Sequence, residues 1–113
     1  MLQLVTAIVK PHRIVAVKDA LIGAGVMGMT VSEAKGFGRQ GGHTETYRGT
    51  EYRIDLVPKV KVDVLCPIEE AEKVAAAISQ AALTGKIGDG KVWVTPVEQV
   101  VRIRTGELGS DAI

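Results

Sequence analysis

The chain has 113 residues and a formal charge of +1, from 14 Lys and Arg against 13 Asp and Glu. At 46% hydrophobic and 24% charged it has the make-up of one globular domain, which excludes disorder over most of its length. The charge balance excludes a nucleic-acid coat or a polybasic membrane binder, which need a cationic excess. Four aromatics (Phe37, Tyr47, Tyr52, Trp93) are too few for a base-stacking platform.

The first element is a strand-like run, Val5-Thr6-Ala7-Ile8-Val9, closed by Lys10-Pro11. It is too short and too interrupted for a signal peptide. No stretch reaches the roughly 20 apolar residues of a spanning helix. Cys66 is the single cysteine, so no intramolecular disulfide can form, which fits a reducing compartment. We expect a cytoplasmic protein that does not insert directly into a membrane.

Pro11 opens a helix expected to run to Ala24, with Ile14, Val17, Leu21 and Ala24 on one face. Proline suits a first helical turn, where its missing N–H has no partner to lose. Gly23 and Gly25 stop the helix, and Met29-Thr30-Val31 reads as the next strand. Residues 36–56 then break the rhythm, with five glycines, no sustained helical stripe and weak alternation. A loop of that length inside a small domain is uncommon and is usually functional or disordered.

The second half repeats the first. Residues 59–66 alternate, with Val60, Val62, Val64 and Cys66 facing one way and Lys59, Lys61, Asp63 and Leu65 the other. Pro67 ends that strand, and a helix is expected from Ile68 to Leu83 on a stripe of Ala71, Val74, Ala75, Ile78 and Ala82. Lys91-Val92-Trp93-Val94 reads as the following strand. Val101 to Arg104 alternates once more; as a strand it would place Arg102 and Arg104 on one face and Val101 and Ile103 toward the core. The tail, 105–113, is expected to be mobile.

Two strand–helix–strand units of this size predict an α+β fold. It is a ferredoxin-like double βαβ sandwich in one domain, 1–113, with a long surface loop at 37–55. Two helices cover one sheet face only, and the bare face calls for an oligomer.

Three glycine patterns bear on function. Gly23 to Gly28 and Gly36 to Gly41 both match GxGxxG, but neither follows a strand and opens a helix, as a dinucleotide site requires. Gly85 to Lys91 matches GxxxxGK, yet Val92 stands where a P-loop needs a hydroxyl, and a strand follows instead of a helix. Its physical content survives: glycines let backbone N–H groups converge on an anion, and lysine adds charge. An ordinary glycine turn is the plain alternative. Paired arginines at 102 and 104 suit phosphate oxygens, but taken alone they read more simply as charges guarding a solvated edge. Lys59 and Lys61 beside Asp63 are either an anion site or a paired surface. His12, His43 and Cys66 lack the spacing of a metal site, and no serine–histidine–acid arrangement points to a nucleophile.

Several ordered segments together resemble the P-II nitrogen-regulatory signal proteins along essentially the whole chain. They are Gly36-Phe37-Gly38-Arg39-Gln40, Gly42-His43-Thr44-Glu45, Tyr47-Arg48-Gly49-Thr50-Glu51-Tyr52, Thr84 through Val94, and Arg102-Ile103-Arg104-Thr105-Gly106-Glu107. The resemblance implies a trimer of ferredoxin-like chains and a sensor instead of an enzyme. It implies ATP or ADP in clefts between subunits, with Gly88, Asp89, Gly90 and Lys91 cradling phosphates. Arg102 and Arg104 would reach in from the neighbouring subunit, and Gly36, Phe37, Gly38, Arg39 and Gln40 would also face the nucleotide. Gln40 would hold Mg2+ when 2-oxoglutarate is present. That dicarboxylate would meet Lys59, with Lys10 assisting, and the backbone near Gly38, Gly41, Gly42 and Gly88.

The resemblance further implies that the 37–55 loop contacts partners such as an ammonium transporter, glutamine-synthetase-modifying enzymes or transcriptional regulators. Tyr47, Arg48 and Gly49 would lie at its contact surface. Tyr52 would be the tyrosine offered to a nucleotidyltransferase, for uridylylation or adenylylation. A transporter partner would recruit the protein to the membrane. The chain departs from many relatives at Gly41, where they carry lysine, and at Thr50, where alanine is common. Two other readings stay open: a nucleotide-hydrolysing or nucleotide-transferring enzyme using Asp63 or Asp89, and a trimeric metal module using His12, His43 or Cys66.

Overall fold

The computed structural model describes residues 1–38 and 56–113 in full and, of the stretch between, the backbone of 44–47 and 51–54. In chain order the elements are β1 (Leu2–Val9), a 3-10 turn (Pro11–Arg13), α1 (Ile14–Gly23), β2 (Thr30–Gly36), β3 (Thr44–Tyr47) and β4 (Glu51–Ile54). There follow β5 (Val57–Pro67), a 3-10 turn (Ile68–Glu70), α2 (Ala71–Ala82), β6 (Lys91–Val97) and a last 3-10 turn (Gly109–Ala112).

Four strands form one antiparallel sheet in the order β2-β5-β1-β6. Each βαβ unit is therefore split: β5 lies between β1 and β2, and β1 lies between β5 and β6. The doubled pattern in the sequence folds as two interleaved units with one shared core. Val5, Ala7 and Val9 of β1 and Val62, Val64 and Cys66 of β5 face the helices. Val17 and Leu21 of α1 and Ala71, Val74, Ile78 and Ala82 of α2 close over them. Of the apolar stripes predicted for the helices these six are buried, Ile14 and Ala75 pack against them partly buried, and Ala24 caps α1.

Both helices begin later than their prolines. A 3-10 turn intervenes, closed at the first by Arg13 N–H donating to the Lys10 carbonyl at 2.9 Å. The tighter turn gives a partner to a group that the start of an α-helix leaves without one. The end of α1 is a Schellman cap. Gly25 N–H donates to Ile22 and Val26 N–H to Leu21, both at 3.0 Å, around Gly25 at φ +90°. Arg13 closes the end of the other helix: Nε and Nη2 both donate to the Ala81 carbonyl, at 3.0 and 2.7 Å. That places a cation on the negative end of α2 and ties the two helices together.

Two expectations change. First, the 37–55 stretch holds a strand pair, β3 with β4, in the register Thr44↔Ile54 to Tyr47↔Glu51. Strands of four residues are too short to show an alternation against their glycine-rich surroundings. Second, Val101 to Arg104 is not a sheet strand. Val101 makes one bridge to Leu108, Arg102 N–H donates to the Glu107 carbonyl at 2.9 Å, and Gly106 N–H donates back to Arg102 at 2.7 Å. Gly106, at φ +76°, reverses the chain too soon for a strand to extend, and Ile103 is 97% exposed instead of facing the core. The tail beyond Arg104 carries this return bridge and the 109–112 turn, whose Ala112 is buried.

The sheet face away from the helices is mixed. Thr6 is buried there and donates from Oγ1 to Asp63 Oδ1 at 2.7 Å, its cross-strand partner. Leu65 and Trp93, opposite Leu4 and Thr6 on that face, stay 38% and 43% exposed.

Candidate functional site

Three strand ends meet at one place: the C-terminal end of β1, the start of β5 and the start of β6. The turn from Thr84 to Gly90 joins α2 to β6 there. Gly85, Gly88 and Gly90 occupy the left-handed region, at φ +82°, +92° and +101°. A Cβ on Gly90 would stand 1.7 Å from the Ile8 carbonyl oxygen, so the turn can lie against β1 only with glycine at that position.

Two lysines from distant parts of the chain converge on the turn. Lys59 Nζ donates to the Gly88 carbonyl at 2.5 Å. Lys10 Nζ lies 3.2 Å from Asp89 Oδ1 and donates to Thr84 Oγ1 at 3.1 Å. A Cβ on Gly88 would lie 3.4 Å from Lys59 Nζ and 3.6 Å from Lys10 Cε, so both side chains flank the same glycine. Lys91, the last residue of the glycine pattern, is exposed as the first residue of β6.

The Asp89 carboxylate points into the turn. Oδ2 accepts Thr84 N–H at 2.8 Å and Gly85 N–H at 2.9 Å, and Oδ1 accepts the Thr84 hydroxyl at 2.5 Å. The Thr84 hydroxyl and N–H foremost, then the Gly85 N–H and Lys10, hold its carboxyl well below the usual carboxylate range. Its side chain is therefore a brace for the turn, and a like-charged carboxylate is not itself a partner for an anion. Two clefts lie in this region, and only the smaller is lined by residues of the turn itself. One, about 450 Å³, includes Pro11, Glu33, Pro58 and Lys59 in its lining; the other, about 400 Å³, includes Gln80, Leu83, Asp89 and Lys91.

The structure thus gathers Lys10, Lys59, Gly88, Asp89, Gly90 and Lys91. Gly36 ends β2, opposite Val57 at the start of β5, and Phe37 and Gly38 follow it, Phe37 59% exposed. Arg102 is turned toward its own tail, 3.5 Å from Glu107 Oε1 and donating from Nε to the Ala112 carbonyl at 3.3 Å. Among the described residues, no hydrogen bond or ion pair joins Arg102 or Arg104 to the turn of the same chain. Arg39, Gln40, Gly41, Gly42, His43, Arg48, Gly49 and Thr50 lie outside the described residues, as do the side chains of Tyr47 and Tyr52. Among the described residues no group of three or more His, Cys, Asp or Glu is placed to hold a metal ion. Among the described residues no helix is long and apolar enough to cross a membrane.

Sequence reasoning assigned no part to Thr84 or Arg13. The signal for Thr84 is a hydroxyl opening a short glycine turn that closes on an aspartate; Arg13 leaves none, because its partner is a backbone carbonyl.

Comparison with known proteins agrees over almost the whole chain. The family model described as Nitrogen regulatory protein P-II matches residues 2–107. The Nitrogen regulatory protein P-II of Azospirillum brasilense is 60% identical over 109 residues, covering 96% of this chain and 97% of the relative. The protein of the same name from Rhizobium meliloti (strain 1021) matches with the same identity and coverage. A crystal structure of Arabidopsis thaliana PII bound to citrate superposes with a TM-score of 0.82 at 39% identity, covering 99% of this chain and 92% of that one.

Proposed function

The chain belongs to the P-II family of nitrogen regulatory proteins, and on that premise we propose that it senses ATP or ADP together with 2-oxoglutarate and reports both to protein partners. The observation that carries this reading is the convergence of Lys10 and Lys59 on the left-handed Gly88 turn. Two cations and a glycine-rich backbone suit phosphate and carboxylate oxygens, and no single sequence motif required those lysines to meet.

In this reading backbone N–H groups of Gly88 to Lys91 bind phosphate oxygens, while Lys59 leaves the Gly88 carbonyl for a carboxylate of 2-oxoglutarate, with Lys10 beside it. Gly36, Phe37, Gly38, Arg39 and Gln40 face the nucleotide, and Gln40, Gly41 and Gly42 the 2-oxoglutarate. Mg2+, when bound, supplies the charge that lets a dicarboxylate sit beside a triphosphate. The citrate on the Arabidopsis protein supports a carboxylate-accepting site in this fold. An Asp89 held by several donors, its pKa pushed down, is the opposite of a general base, which favours sensing over hydrolysis.

The assembly is a homotrimer. The exposed Leu65 and Trp93 on the helix-free sheet face support further copies packing there, and Arg102 and Arg104 would then serve a neighbour's site. The 37–55 loop, with Tyr47, Arg48 and Gly49, contacts an ammonium transporter or regulatory enzymes in the cytoplasm and at the membrane. Tyr52 takes a nucleotidyl group.

The test is calorimetric titration of 2-oxoglutarate into the protein with Mg-ATP, with Mg-ADP, and with ATP plus a chelator. Binding only in the first case is expected. Nucleotide binding without any 2-oxoglutarate response removes the second input and points to Gly41. No nucleotide binding overturns the reading.

A further inference from the structure

The geometry points to Thr84 as a positioning residue for polyphosphate recognition, acting by keeping the Asp89 carboxylate turned away from the anion. The assignment rests on the nucleotide reading above. A hydroxyl has one hydrogen to donate and room for two to accept. Thr84 fills all three: Oγ1 donates to Asp89 Oδ1 at 2.5 Å and accepts from Lys86 N–H and Lys10 Nζ, each at 3.1 Å. It therefore has no capacity left to bind a ligand. What it does is join the end of β1, the start of the turn and the far side of the turn at a single atom.

The consequence is electrostatic. Asp89 lies between Gly88 and Gly90, whose N–H groups belong to the phosphate-binding stretch. A carboxylate swung outward there would face a polyphosphate of like charge. Thr84 contributes its hydroxyl and its N–H to the inward position, and Lys10 neutralises the buried side of the same carboxylate. The turn meets its anion already ordered, without spending binding energy on arranging it.

The experiment uses the full chain and four variants, T84V, T84A, T84S and the double variant T84V/D89N. Each is titrated with Mg-ATP, inorganic tripolyphosphate and adenosine, and its thermal midpoint is followed by circular dichroism. T84A keeps the test intact if T84V does not fold. Loss of a charge-assisted hydrogen bond predicts roughly tenfold weaker binding of ATP and tripolyphosphate in T84V and T84A. Adenosine affinity stays unchanged and T84S restores wild-type binding. T84V/D89N binds tripolyphosphate more tightly than T84V, because the freed carboxylate is gone. Wild-type affinity in T84V and T84A overturns the assignment, and so does failure of T84S to restore binding. A wild-type chain that binds neither ATP nor tripolyphosphate overturns the nucleotide reading and the role of Thr84 with it.

Discussion

Lys59 reaches 29 positions along the chain to donate from Nζ to the carbonyl of Gly88 at 2.5 Å. The contact puts a cation from β5 against the turn that leads into β6, beside a glycine at φ +92°. K59M keeps much of the side-chain length and removes the charge. With Mg-ATP present, its 2-oxoglutarate affinity measured by calorimetry is expected to fall tenfold or more, which is about 1.4 kcal/mol or above. ATP affinity alone should change less. Unaltered 2-oxoglutarate binding would take Lys59 out of the site.

Gly90 and Gly85 separate contact from backbone strain. Both are left-handed, but a Cβ at 90 would stand 1.7 Å from the Ile8 carbonyl oxygen, whereas at 85 it meets nothing within 4 Å. G85A should cost about 1 kcal/mol from backbone strain alone. G90A must also push β1 away from the turn and should cost at least about 2 kcal/mol. Urea unfolding of both variants checks the order, and equal losses would contradict the close approach.

The Asp89 carboxyl titrates below its ordinary value because Thr84, Gly85 and Lys10 favour the charged form. A carboxylate depressed in the folded state contributes stability above its unfolded pKa of about 4, and that contribution is lost as pH falls below it. Stability measured between pH 7 and pH 3 should fall less steeply at the acid end in D89N than in the wild type. Parallel profiles would mean that the brace contributes nothing to folding.

Ile78 and Arg13 hold α2 in different ways. Ile78 is fully buried, and I78A is expected to cost 2 to 5 kcal/mol, roughly the range for deleting a core side chain. Arg13 forks onto the Ala81 carbonyl, and R13A should cost about 1 to 2 kcal/mol through the lost cap. Added salt should narrow the difference between wild type and R13A while leaving that of I78A unchanged.

Burial first, and then the nearby Glu70, pushes the Cys66 thiol up. The folded protein therefore favours the neutral thiol, and this contribution is present below the ordinary thiol pKa of about 8.5 and lost as pH rises above it. Iodoacetamide should label Cys66 slowly at pH 8 in the native protein and rapidly in urea. Fast native labelling would show that the end of β5 opens readily.

The doubled βαβ order, the buried face of each helix and of β5, and the glycine turn before β6 are all legible in the residues alone. Those properties are local: side chains repeat every two or every 3.6 residues, and a proline or glycine acts on the backbone where it stands. Ordered segments across the chain carried the family as well, and the match over residues 2–107 bears that out. Partnership between distant residues emerges only in the folded chain. Alternation at Val101 to Arg104 looked like a strand, but Gly106 returns the chain onto itself before a sheet neighbour is reached. Asp89 read as part of a phosphate cradle, and its carboxylate proves to be folded inward onto Thr84 and Lys10. The strand order that interleaves the two halves brings Lys10 and Lys59 to one glycine. Contacts between residues tens of positions apart depend on how strands are ordered in a sheet, and no local periodicity encodes that order.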